Sequence, residues 1–340
     1  MNRLLSKTSS LEGLRVLVRL DLDLPLEDGE FDTTRLDNGI STLKMVLAKG
    51  ASMVTVIGHR GRPDGKTKKA LSLKPIGELL LSKLTANQAE KVVVLENLRF
   101  DAEEEACSAT YAALLAKDQD VYVYDAFAVA HRAHSSVVEV PKLLPTLYGL
   151  QFEVELEGLK HIMPKKAKRP FIVLMGGAKL ETKMPMIEAF RKKADVILVG
   201  GKLALEMKNL EKTTTNRKII VGELREDTKD LTPEAVDQFS RFIAAAKTIL
   251  WNGPLGKIED EDARAGTRAI AKHLAGSRGY VVAAGGDTEA ALSLLRIKKG
   301  ISFVSSGGGA TLEYVISETL PGIEAIEKSA EFKAPQKSRQ

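Results

Sequence analysis

Short apolar runs alternate with amphipathic segments along most of the chain. Ten runs rich in Val and Ile each end in glycine or a polar residue: Arg15–Leu20, Ser52–Ile57, Lys91–Leu95, Val121–Tyr124, Phe171–Met175, Val196–Val199, Lys218–Val221, Thr248–Trp251, Tyr280–Ala284 and Ile301–Val304. Helical periodicity between them is clearest at Thr34–Lys49, Lys74–Leu84, Glu103–Lys117, Pro233–Ala246 and Ala263–Ala275. Continuous apolar strands that alternate with helices are typical of parallel sheets covered on both faces. The pattern therefore predicts an α/β protein.

Ten strands are too many for one comfortable sheet, and the charged segment Gln151–Lys168 divides four of them from six. We predict two Rossmann-like domains, each a parallel sheet flanked by helices, joined by a hinge and with a ligand cleft between them. The predicted boundaries are 1–150 for the N-terminal domain, 151–168 for a linker helix and hinge, 169–315 for the C-terminal domain and 316–340 for a closing segment. We expect the polar tail after Lys328 to be frayed.

The amino-acid composition limits the cellular compartments and the classes of binding partner that we expect. The 340 residues are 44% hydrophobic and 28% charged, and no apolar run approaches membrane-spanning length. The N-terminus lacks the apolar core of a secretory signal, and the single cysteine, Cys107, excludes an internal disulfide, so we expect a cytoplasmic protein. The net charge of +5 arises from 50 basic against 45 acidic residues, without a basic tract interleaved with aromatics. We expect a small anionic substrate and neither nucleic acid nor membrane as partner.

Basic side chains follow the predicted strands of the first domain. They are Arg19, Arg35, His59, Arg62, Arg99, His131 and Arg132, and the carboxylates Asp21 and Asp23 follow the first strand. Ligands of open parallel sheets bind beyond the carboxyl ends of the strands, where guanidinium groups bind phosphate or carboxylate bidentately. Each arginine alone is more typical of a surface residue. Together they favour a small ligand that carries phosphate or carboxylate.

Glycine turns occupy the corresponding positions in the second domain. They are Gly176-Gly177-Ala178-Lys179, Gly200-Gly201-Lys202, Asn252-Gly253-Pro254, Gly285-Gly286-Asp287-Thr288 and Ser305-Ser306-Gly307-Gly308-Gly309. Such turns suit a polyphosphate held by backbone N–H groups, and a helix from about Leu180 would place Lys179 and Lys183 one turn apart. A tight turn with solvated lysines is the alternative for the first of them, which is not a Walker P-loop.

Two acidic residues near these turns have open roles. Asp287 at a predicted helix start is either an N-cap or a ligand of Mg²⁺. Glu259 contacts a ribose or is solvated. An anion site in one domain and a polyphosphate site in the other favour phosphoryl transfer across a cleft that closes to exclude water.

The motifs in their order along the chain resemble the phosphoglycerate kinase family, from about Arg15 to Ile323. The matching segments are Val-Arg-Leu-Asp-Leu-Asp-Leu-Pro (18–25), Thr-Thr-Arg-Leu (33–36), His-Arg-Gly-Arg-Pro (59–63), Leu-Glu-Asn-Leu-Arg-Phe (95–100), Asp-Ala-Phe-Ala-Val-Ala-His-Arg-Ala-His (125–134), Gly-Gly-Ala-Lys (176–179), Trp-Asn-Gly-Pro-Leu-Gly (251–256), Gly-Gly-Asp-Thr (285–288), Gly-Gly-Gly-Ala-Thr-Leu-Glu (307–313) and Leu-Pro-Gly (320–322). Each motif alone is weakly specific, whereas the ordered set is highly specific.

The resemblance implies a monomeric glycolytic enzyme that reversibly transfers a phosphoryl group between ATP and the carboxylate of 3-phosphoglycerate, with Mg²⁺. It implies that the glycerate is bound by Arg19, Asp21, Asp23, Arg35, His59, Arg62, Arg99, His131 and Arg132. The nucleotide positions that it implies are Gly176, Gly177, Ala178, Lys179, Lys183, Gly201, Asn252, Pro254, Glu259, Gly286, Asp287, Thr288, Gly307, Gly308 and Gly309. The catalytic residues that it implies are Arg35, Lys183 and Lys179. The metal ligand that it implies is Asp287. The closing segment is implied to return to the N-terminal domain.

Three departures from the family pattern keep other functions open. Asp23 stands where the family has an asparagine, Lys202 stands beside the nucleotide where the family has a small residue, and only 251 − 201 = 50 positions separate Gly201 from Trp251. One alternative is a related acyl-phosphate kinase with a changed acceptor or donor. Another is a family member that binds ligand without turnover. A nicotinamide dehydrogenase is disfavoured, since Gly-x-Gly-x-x-Gly follows none of the predicted strands.

Overall fold

The chain forms two compact units. The computed structural model describes residues 3–27, 29–177, 180–209 and 218–335. The first unit comprises the described residues of Met1–Glu155 and Leu320–Gln340, and the second those of Leu156–Thr319. The division falls within one helix, Leu150–Leu159. Along the described residues, every helix falls short of the length and apolarity needed to cross a bilayer.

The first unit is built on a parallel sheet. Its strands are β1 (Arg15–Leu20), the hairpin β2 (Leu26–Glu27) and β3 (Glu30–Phe31), then β4 (Met53–Ile57), β5 (Val92–Val94), β6 (Val121–Asp125) and β7 (Thr146–Tyr148). The sheet order is β5-β4-β1-β6-β7 with every pair parallel, and β2 and β3 pair separately and antiparallel. Its helices are α1 (Thr34–Ala48), α2 (Lys74–Ser82), α3 (Ala86–Ala89), α4 (Ala102–Glu105), α5 (Ala109–Ala116) and α6 (Val140–Leu143), and α7 (Leu150–Leu159) is the helix that the two units share. The central strand β1 therefore ends between β4 and β6, at the middle of the carboxyl edge.

The second unit repeats the design with one more strand. Its strands are β8 (Phe171–Met175), β9 (Val196–Val199), β10 (Ile219–Val221), β11 (Thr248–Asn252), β12 (Tyr280–Ala284) and β13 (Phe303–Ser305). In the described residues they form a parallel sheet of order β10-β9-β8-β11-β12-β13. The helices are α8 (Leu180–Arg191), α9 (Gly201–Asn209), α10 (Pro233–Ala245), α11 (Ala265–Ala275), α12 (Gly286–Leu294) and α13 (Gly309–Ser317). A last helix, α14 (Pro321–Lys328), belongs to the first unit.

Apolar burial explains why these segments become strands. The five residues of β8 and the five of β11 are all buried, so each strand is covered on both faces. Trp251 in β11 is fully buried, and its Nε1 donates to the Gly253 carbonyl oxygen at 2.8 Å. Helix α10 begins where the sequence predicts, because Thr232 caps it by accepting the Ala235 N–H and Pro233 occupies the first turn.

The predicted α/β class with two parallel sheets flanked by helices is confirmed, and each of the ten apolar runs contains a strand. The pattern missed β7, a three-residue strand, and the two-residue strands of the hairpin, which are too short to show periodicity. The single helix predicted for Glu103–Lys117 was wrong. Cys107 adopts a left-handed φ of 59° and Ser108 caps a new helix by accepting the Tyr111 N–H, so the segment forms α4 and α5.

Candidate functional site

The carboxyl edge of the first sheet collects most of the predicted basic residues. Asp21 and Asp23 follow β1, and His59 follows β4 after one intervening glycine. Arg99 lies in a short 3-10 turn, Leu98–Phe100, after β5. His131 and Arg132 follow another such turn, Phe127–Val129, after β6.

Arg35 and the two aspartates form one network at this edge. Arg35, in the first turn of α1, approaches the Asp21 carboxylate at 3.2 Å and donates to the Asp23 carbonyl oxygen at 3.2 Å. Burial raises the pKa of Asp21, and the Arg35 guanidinium opposes that rise. The Asp23 carboxylate accepts the Gly61 N–H at 2.9 Å and lies 3.8 Å from His59 Nε2. Arg35 contacts Asp23 at its main-chain carbonyl oxygen and not at its carboxylate.

Arg99 fastens the loop after β4 and is itself almost buried. It is 3% exposed, its Nη1 donates to the Gly61 carbonyl oxygen at 2.7 Å, and its Nε lies 3.2 Å from Glu105. Desolvation lowers the pKa of Arg99 to about 10 in spite of Glu105. Gly61 is thus held on one side by Asp23 and on the other by Arg99.

Arg19 lies beneath this edge rather than at its surface. Its side chain is fully buried, lies 3.3 Å from the equally buried Glu104, and donates to the Ser136 hydroxyl. Glu104 also accepts the Ser136 N–H at 3.0 Å and lies 3.9 Å from His134 Nδ1. Arg19 was predicted to bind the substrate; in the structure its side chain is fully buried beside Glu104.

Several buried donors around this edge lack hydrogen-bond partners within the described residues. They are Arg19 Nε and Nη2, Arg99 Nη2, Arg132 Nε and the Nδ1 atoms of His59, His131 and His134. Burial, reinforced by neighbouring arginines, lowers the pKa of His131 to about 4 and of His134 to about 3, and holds that of His59 well below its usual range. Unsatisfied guanidinium donors with neutral imidazoles among them are suited to an anion. Arg62 is exposed in the loop after His59.

Sequence reasoning missed Glu104, Ser136 and His134 in this cluster. His134 was visible as the last residue of the histidine-containing motif after β6. Glu104 stands in a run of three glutamates, and nothing in that run distinguishes the buried one from Glu103 and Glu105.

The carboxyl edge of the second sheet encloses a cavity of about 340 Å³. Its lining consists of Gly176, Gly177, Lys183, Asn252, Gly253, Gly285, Gly286, Asp287, Thr288, Gly308 and Gly309. Nine of these eleven residues were predicted nucleotide contacts; Gly253 and Gly285 were not, although both stand inside the quoted glycine motifs. The volume suits a phosphate-bearing ligand group, and glycine leaves the backbone open to it.

Among the described residues that line the cavity, Lys183 is the one basic side chain, and it is hydrogen-bonded to Asn252. Its Nζ donates to Asn252 Oδ1, while Asn252 Nδ2 donates to the Ala284 carbonyl oxygen at 2.7 Å. Burial lowers the pKa of Lys183, and the Asp287 carboxylate opposes that shift. Thr288 accepts the Gly253 N–H at 2.7 Å and donates to the Ala284 carbonyl oxygen at 2.8 Å, which ties two of the glycine turns together.

Two glycine positions show why a side chain is excluded. A Cβ at Gly176 would lie 2.1 Å from the Pro254 carbonyl oxygen, because β8 and β11 end in closely packed turns. Gly285 adopts a φ of 98°, which an L-residue with a side chain rarely adopts.

The remaining predicted nucleotide residues lie elsewhere. Ala178 and Lys179 lie outside the described residues. Gly201, Pro254, Glu259 and Gly307 are described but do not belong to the cavity lining. Pro254 instead accepts the Gly177 N–H at 3.0 Å, and Glu259 is exposed. Lys202, the departure noted beside the nucleotide, lies 3.9 Å from Glu206 one turn along α9.

Among the described residues that line the cavity, Asp287 is the one with an acidic side chain. No group of three or more His, Cys, Asp or Glu side chains able to hold a metal occurs in the part of the chain that the structure describes. A single exposed carboxylate beside a phosphate-sized cavity fits Mg²⁺, which commonly takes one or two carboxylates, substrate phosphates and waters.

A basic edge on one parallel sheet and a glycine-lined cavity on another are features of an α/β phosphotransferase. The family model described as phosphoglycerate kinase matches residues 6–229 and 208–318. The phosphoglycerate kinase of Thermomicrobium roseum is 33% identical over 386 residues, covering 94% of this chain and 98% of the relative. The chain belongs to the phosphoglycerate kinase family, and it is a phosphotransferase that uses a nucleotide and a small-molecule substrate.

Solved structures agree with this assignment. The structure of phosphoglycerate kinase from Coxiella burnetii superposes with a TM-score of 0.80 at 28% identity, covering 95% of this chain and 98% of that one. That from Pyrococcus horikoshii gives a TM-score of 0.79 at 25% identity, covering 96% and 98%.

The chain is shorter than its relatives. About 320 of its residues (94% of 340) are matched over the 386 positions aligned with the Thermomicrobium roseum relative. About 386 − 320 = 66 of those positions therefore have no counterpart in this chain. The two stretches matched by the family model overlap at 208–229, inside the Gly201–Trp251 segment that looks short in the sequence.

Proposed function

We propose that this protein reversibly transfers a phosphoryl group between ATP and the carboxylate of 3-phosphoglycerate, forming 1,3-bisphosphoglycerate and ADP. The observation that carries the proposal is that one chain of this family has both a basic edge with unsatisfied donors and a glycine-lined cavity with one lysine. These are the two binding chemistries that the reaction requires.

The first unit is proposed to bind the glycerate. Its phosphate and carboxylate carry negative charge, and Arg99, Arg132, His59 and His131 offer buried donors with no partner within the described residues. Neutral imidazoles between guanidinium groups donate hydrogen bonds without adding to the repulsion among the cations. Arg62 and Arg35 are proposed to contact the same ligand from the loop after β4 and from α1.

The second unit is proposed to bind the nucleotide through its phosphates. Backbone N–H groups of the glycine turns and the N-terminal ends of α12 and α13 favour anions at the cavity. Lys183 supplies the cation, and Asp287 would hold Mg²⁺ against the phosphates, where the ion neutralises their charge. Lys179 and Ala178 are assigned here from the resemblance of their motif.

The chemistry needs positioning and charge more than proton transfer. The attacking carboxylate is ionised at neutral pH, so a strong general base is not required. Lys183 and Arg35 are proposed to neutralise the charge that spreads over the phosphoryl group in flight. The proposal includes a hinge at residues 151–168, because transfer requires the two bound ligands to meet.

Purified protein with ATP, MgCl₂ and 3-phosphoglycerate should produce ADP in a coupled assay that depends on all three. We expect Lys183→Ala to lower kcat by about 10²- to 10³-fold, because it removes a preorganised charge from the reacting group. Arg35→Ala should lower kcat by about tenfold or more and raise the KM for the glycerate.

Exposed lysines on or beside the same helices serve as controls. Lys192→Ala follows the end of α8, which carries Lys183, and Lys44→Ala lies on α1, which carries Arg35. Both should retain parental activity. Turnover of the parent no higher than that of Lys183→Ala would contradict the proposed function.

A changed acceptor is the second candidate, and Asp23 is the observation that favours it. Its half-exposed carboxylate adds negative charge where the glycerate is proposed to bind. Assays with a panel of phosphorylated and unphosphorylated hydroxy acids discriminate the two: an acceptor that exceeds 3-phosphoglycerate in kcat/KM would favour the alternative. Calorimetric binding of both ligands without any turnover would favour a binding protein instead.

We also propose that the protein acts as a cytoplasmic monomer without nucleic acid. The near balance of 50 basic and 45 acidic residues supports the absence of nucleic acid, and the monomer and the compartment are expected from the family resemblance. Light scattering after size-exclusion chromatography tests the monomer, and fractionation of the source cells tests the compartment.

A further inference from the structure

The connection between β10 and α10 contains a buried carboxylate that the proposed mechanism does not use. Asp230 is fully buried. Its Oδ2 accepts the Gly266 N–H at 2.7 Å, and its Oδ1 accepts the N–H of the next residue, Leu231, at 2.9 Å. Within the described residues, no Lys, Arg or His lies within ion-pairing distance of it. Backbone N–H groups therefore satisfy this charge.

Asp230 caps a helix from a distant part of the chain. Gly266 is the second residue of α11, and Arg264, the residue that precedes this helix, offers no side-chain cap. The first N–H groups of a helix lack intrahelical partners, and a carboxylate is favoured at that end by the helix dipole. Asp230 supplies both the acceptor and the charge.

Two glycines leave the space that the carboxylate fills. A Cβ at Gly256 would lie 2.4 Å from Asp230 Oδ1, and a Cβ at Gly266 would lie 2.5 Å from the same atom. Gly256 ends the turn that follows β11. The carboxylate is therefore packed between the start of α11 and the turn that begins at Asn252.

This turn leads to the phosphate cavity. Thr267, the next residue of α11, accepts the Leu255 N–H at 3.1 Å. Pro254 accepts the Gly177 N–H at 3.0 Å, and Asn252 accepts the Gly176 N–H at 2.9 Å through its carbonyl oxygen. A continuous series of hydrogen bonds thus runs from Asp230 through α11 to the two glycines at the cavity.

The short connection is tied to the same region at further points. The Lys257 N–H donates to the Lys229 carbonyl oxygen at 2.8 Å, and Lys229 Nζ lies 2.7 Å from Asp260. Arg225 Nη1 donates to the Asp262 carbonyl oxygen at 2.9 Å. These surface contacts are exposed to water, so the buried carboxylate is the strongest tie among them.

We propose that Asp230 is a positioning residue for the nucleotide site: it fixes the first turn of α11 and, through it, the Gly253–Gly256 turn against Gly176 and Gly177. The proposal rests on the proposed function of this cavity as the site of the nucleotide phosphates. The connection between β10 and α10, residues 222–232, would thereby help to hold the Gly253–Gly256 turn in place.

Asp230→Asn is the direct test. The amide presents an NH₂ group to one of the two backbone donors, so one hydrogen bond is replaced by two opposed donors. We expect the Kd for ADP and the KM for ATP to rise about tenfold or more, since small displacements of a phosphate site are costly. The KM for 3-phosphoglycerate should stay within about twofold of the parent, because the first unit is unchanged.

Thr267→Val tests the second step of the series without touching Asp230. It removes the acceptor of the Leu255 N–H and should weaken ADP binding in the same direction. Asp237→Asn, an exposed aspartate on α10, is the matched control and should bind ADP like the parent. Should Asp230→Asn fail to fold, a folded Thr267→Val decides the question by itself.

Hydrogen exchange separates failure of this inference from failure of the proposed function. We expect Asp230→Asn to lose amide protection at Gly177 and Leu255, which requires no nucleotide. Parental protection at both amides, or parental ADP affinity in Asp230→Asn and Thr267→Val, would overturn the inference. A parent that fails to bind ADP would contradict the proposed function instead, while the exchange result still decides whether Asp230 holds the turn.

Discussion

The carboxyl edges of the two sheets present opposite chemistry on the same architecture. In the first unit the edge is made of long charged side chains, such as Arg99 and Arg35, braced by aspartates. In the second unit the edge is made mostly of glycine backbone, with Lys183 and Asp287 as its described charges. Parallel strands deliver loops to one edge in both cases. The two edges differ in the groups that they expose, which are side chains in the first unit and mostly main-chain groups in the second.

This difference determines how each edge responds to substitution. A charged side chain is removed by truncation, and the loss is electrostatic and confined to one ligand. A glycine turn is blocked by addition of a single carbon, and the loss is steric and extends to the packing of the strands.

Gly176→Ala is expected to have the largest effect. The added Cβ would lie 2.1 Å from the Pro254 carbonyl oxygen, a backbone atom that moves only if the end of β11 moves. We expect a loss of several kcal/mol in the free energy of unfolding, about 2–5, and loss of ADP binding, measured by denaturant unfolding and calorimetry.

Gly309→Ala is its matched partner. It lies in the same cavity lining, and its Cβ would meet no atom within 4 Å. The free energy of unfolding should stay within about 0.5 kcal/mol of the parent, while ADP affinity falls because the methyl group enters the cavity. Equal unfolding behaviour of the two variants would contradict the steric reading of this edge.

Arg99→Ala should affect the other ligand. Truncation removes the donor to the Gly61 carbonyl oxygen and an almost buried charge, so we expect the KM for 3-phosphoglycerate to rise about 10- to 100-fold. Initial-rate kinetics should show the KM for ATP within about twofold of the parent.

Arg60→Ala, in the loop after β4 that Arg99 contacts at Gly61, is the control. Its guanidinium lies over the Phe31 ring at 4.7 Å, and it has no part in the proposed ligand contacts. A rise in the KM for the glycerate as large as that of Arg99→Ala would show that loop disturbance, rather than the Arg99 charge, is responsible.

The two edges were predictable from sequence to different degrees. Glycine turns after apolar runs can be recognised residue by residue, because the backbone itself is the functional group, and most of the predicted turns line the cavity. The depth of a side chain is harder to predict. Arg19 and Arg99 both appear as basic residues near strand ends, yet Arg19 is fully enclosed and pairs with Glu104.

Long-range supports were not predictable at all. Glu104 and Asp230 acquire their roles only when α4 and the β10–α10 connection pack against distant segments, and no periodicity or spacing records such contacts. The hairpin strands and the break at Cys107 escaped for a local reason. Two residues are too few for a strand to show alternation, and the left-handed φ of 59° at Cys107 leaves the hydrophobic pattern around it unchanged.

Acid should destabilise the basic edge. The folded-state pKa values of His131, about 4, and His134, about 3, lie below the ordinary value of 6.5, so the unfolded chain binds more protons as pH falls below 6.5. Stability from these groups is present above pH 6.5 and is lost as pH falls towards 3. We expect the Tm to decrease across this range, measured by calorimetry without added anions.

His134→Asn isolates this effect, because Asp125, with a pKa raised to about 6, titrates in the opposite direction and is unchanged in the variant. The Tm of His134→Asn should depend less steeply on pH between 6.5 and 4 than that of the parent. A parallel pH dependence of the two proteins would contradict the assignment of a depressed pKa to His134.

Asp23→Asn should produce the smallest effect, and it is confined to the first unit. The carboxylate is 41% exposed and accepts the Gly61 N–H, a bond that the asparagine oxygen can also accept. What changes is one solvent-screened negative charge, so we expect the KM for 3-phosphoglycerate to fall about two- to fivefold with little change in kcat. The KM for ATP should be unaffected.

The salt dependence of this change separates charge from geometry. If charge causes it, the difference between parent and Asp23→Asn shrinks as ionic strength rises, because screening weakens exposed charges first. Asp64→Asn, an exposed aspartate paired with Lys68 at 3.0 Å farther along the same loop, should leave the KM unchanged. A rise in the KM for the glycerate in Asp23→Asn would instead mean that the acceptor favoured by this protein needs the carboxylate. The change of substrate would then be located at the carboxyl edge of the first unit's sheet, whose ligand contacts are side chains. The glycine turns of the second unit would still bind the nucleotide phosphates.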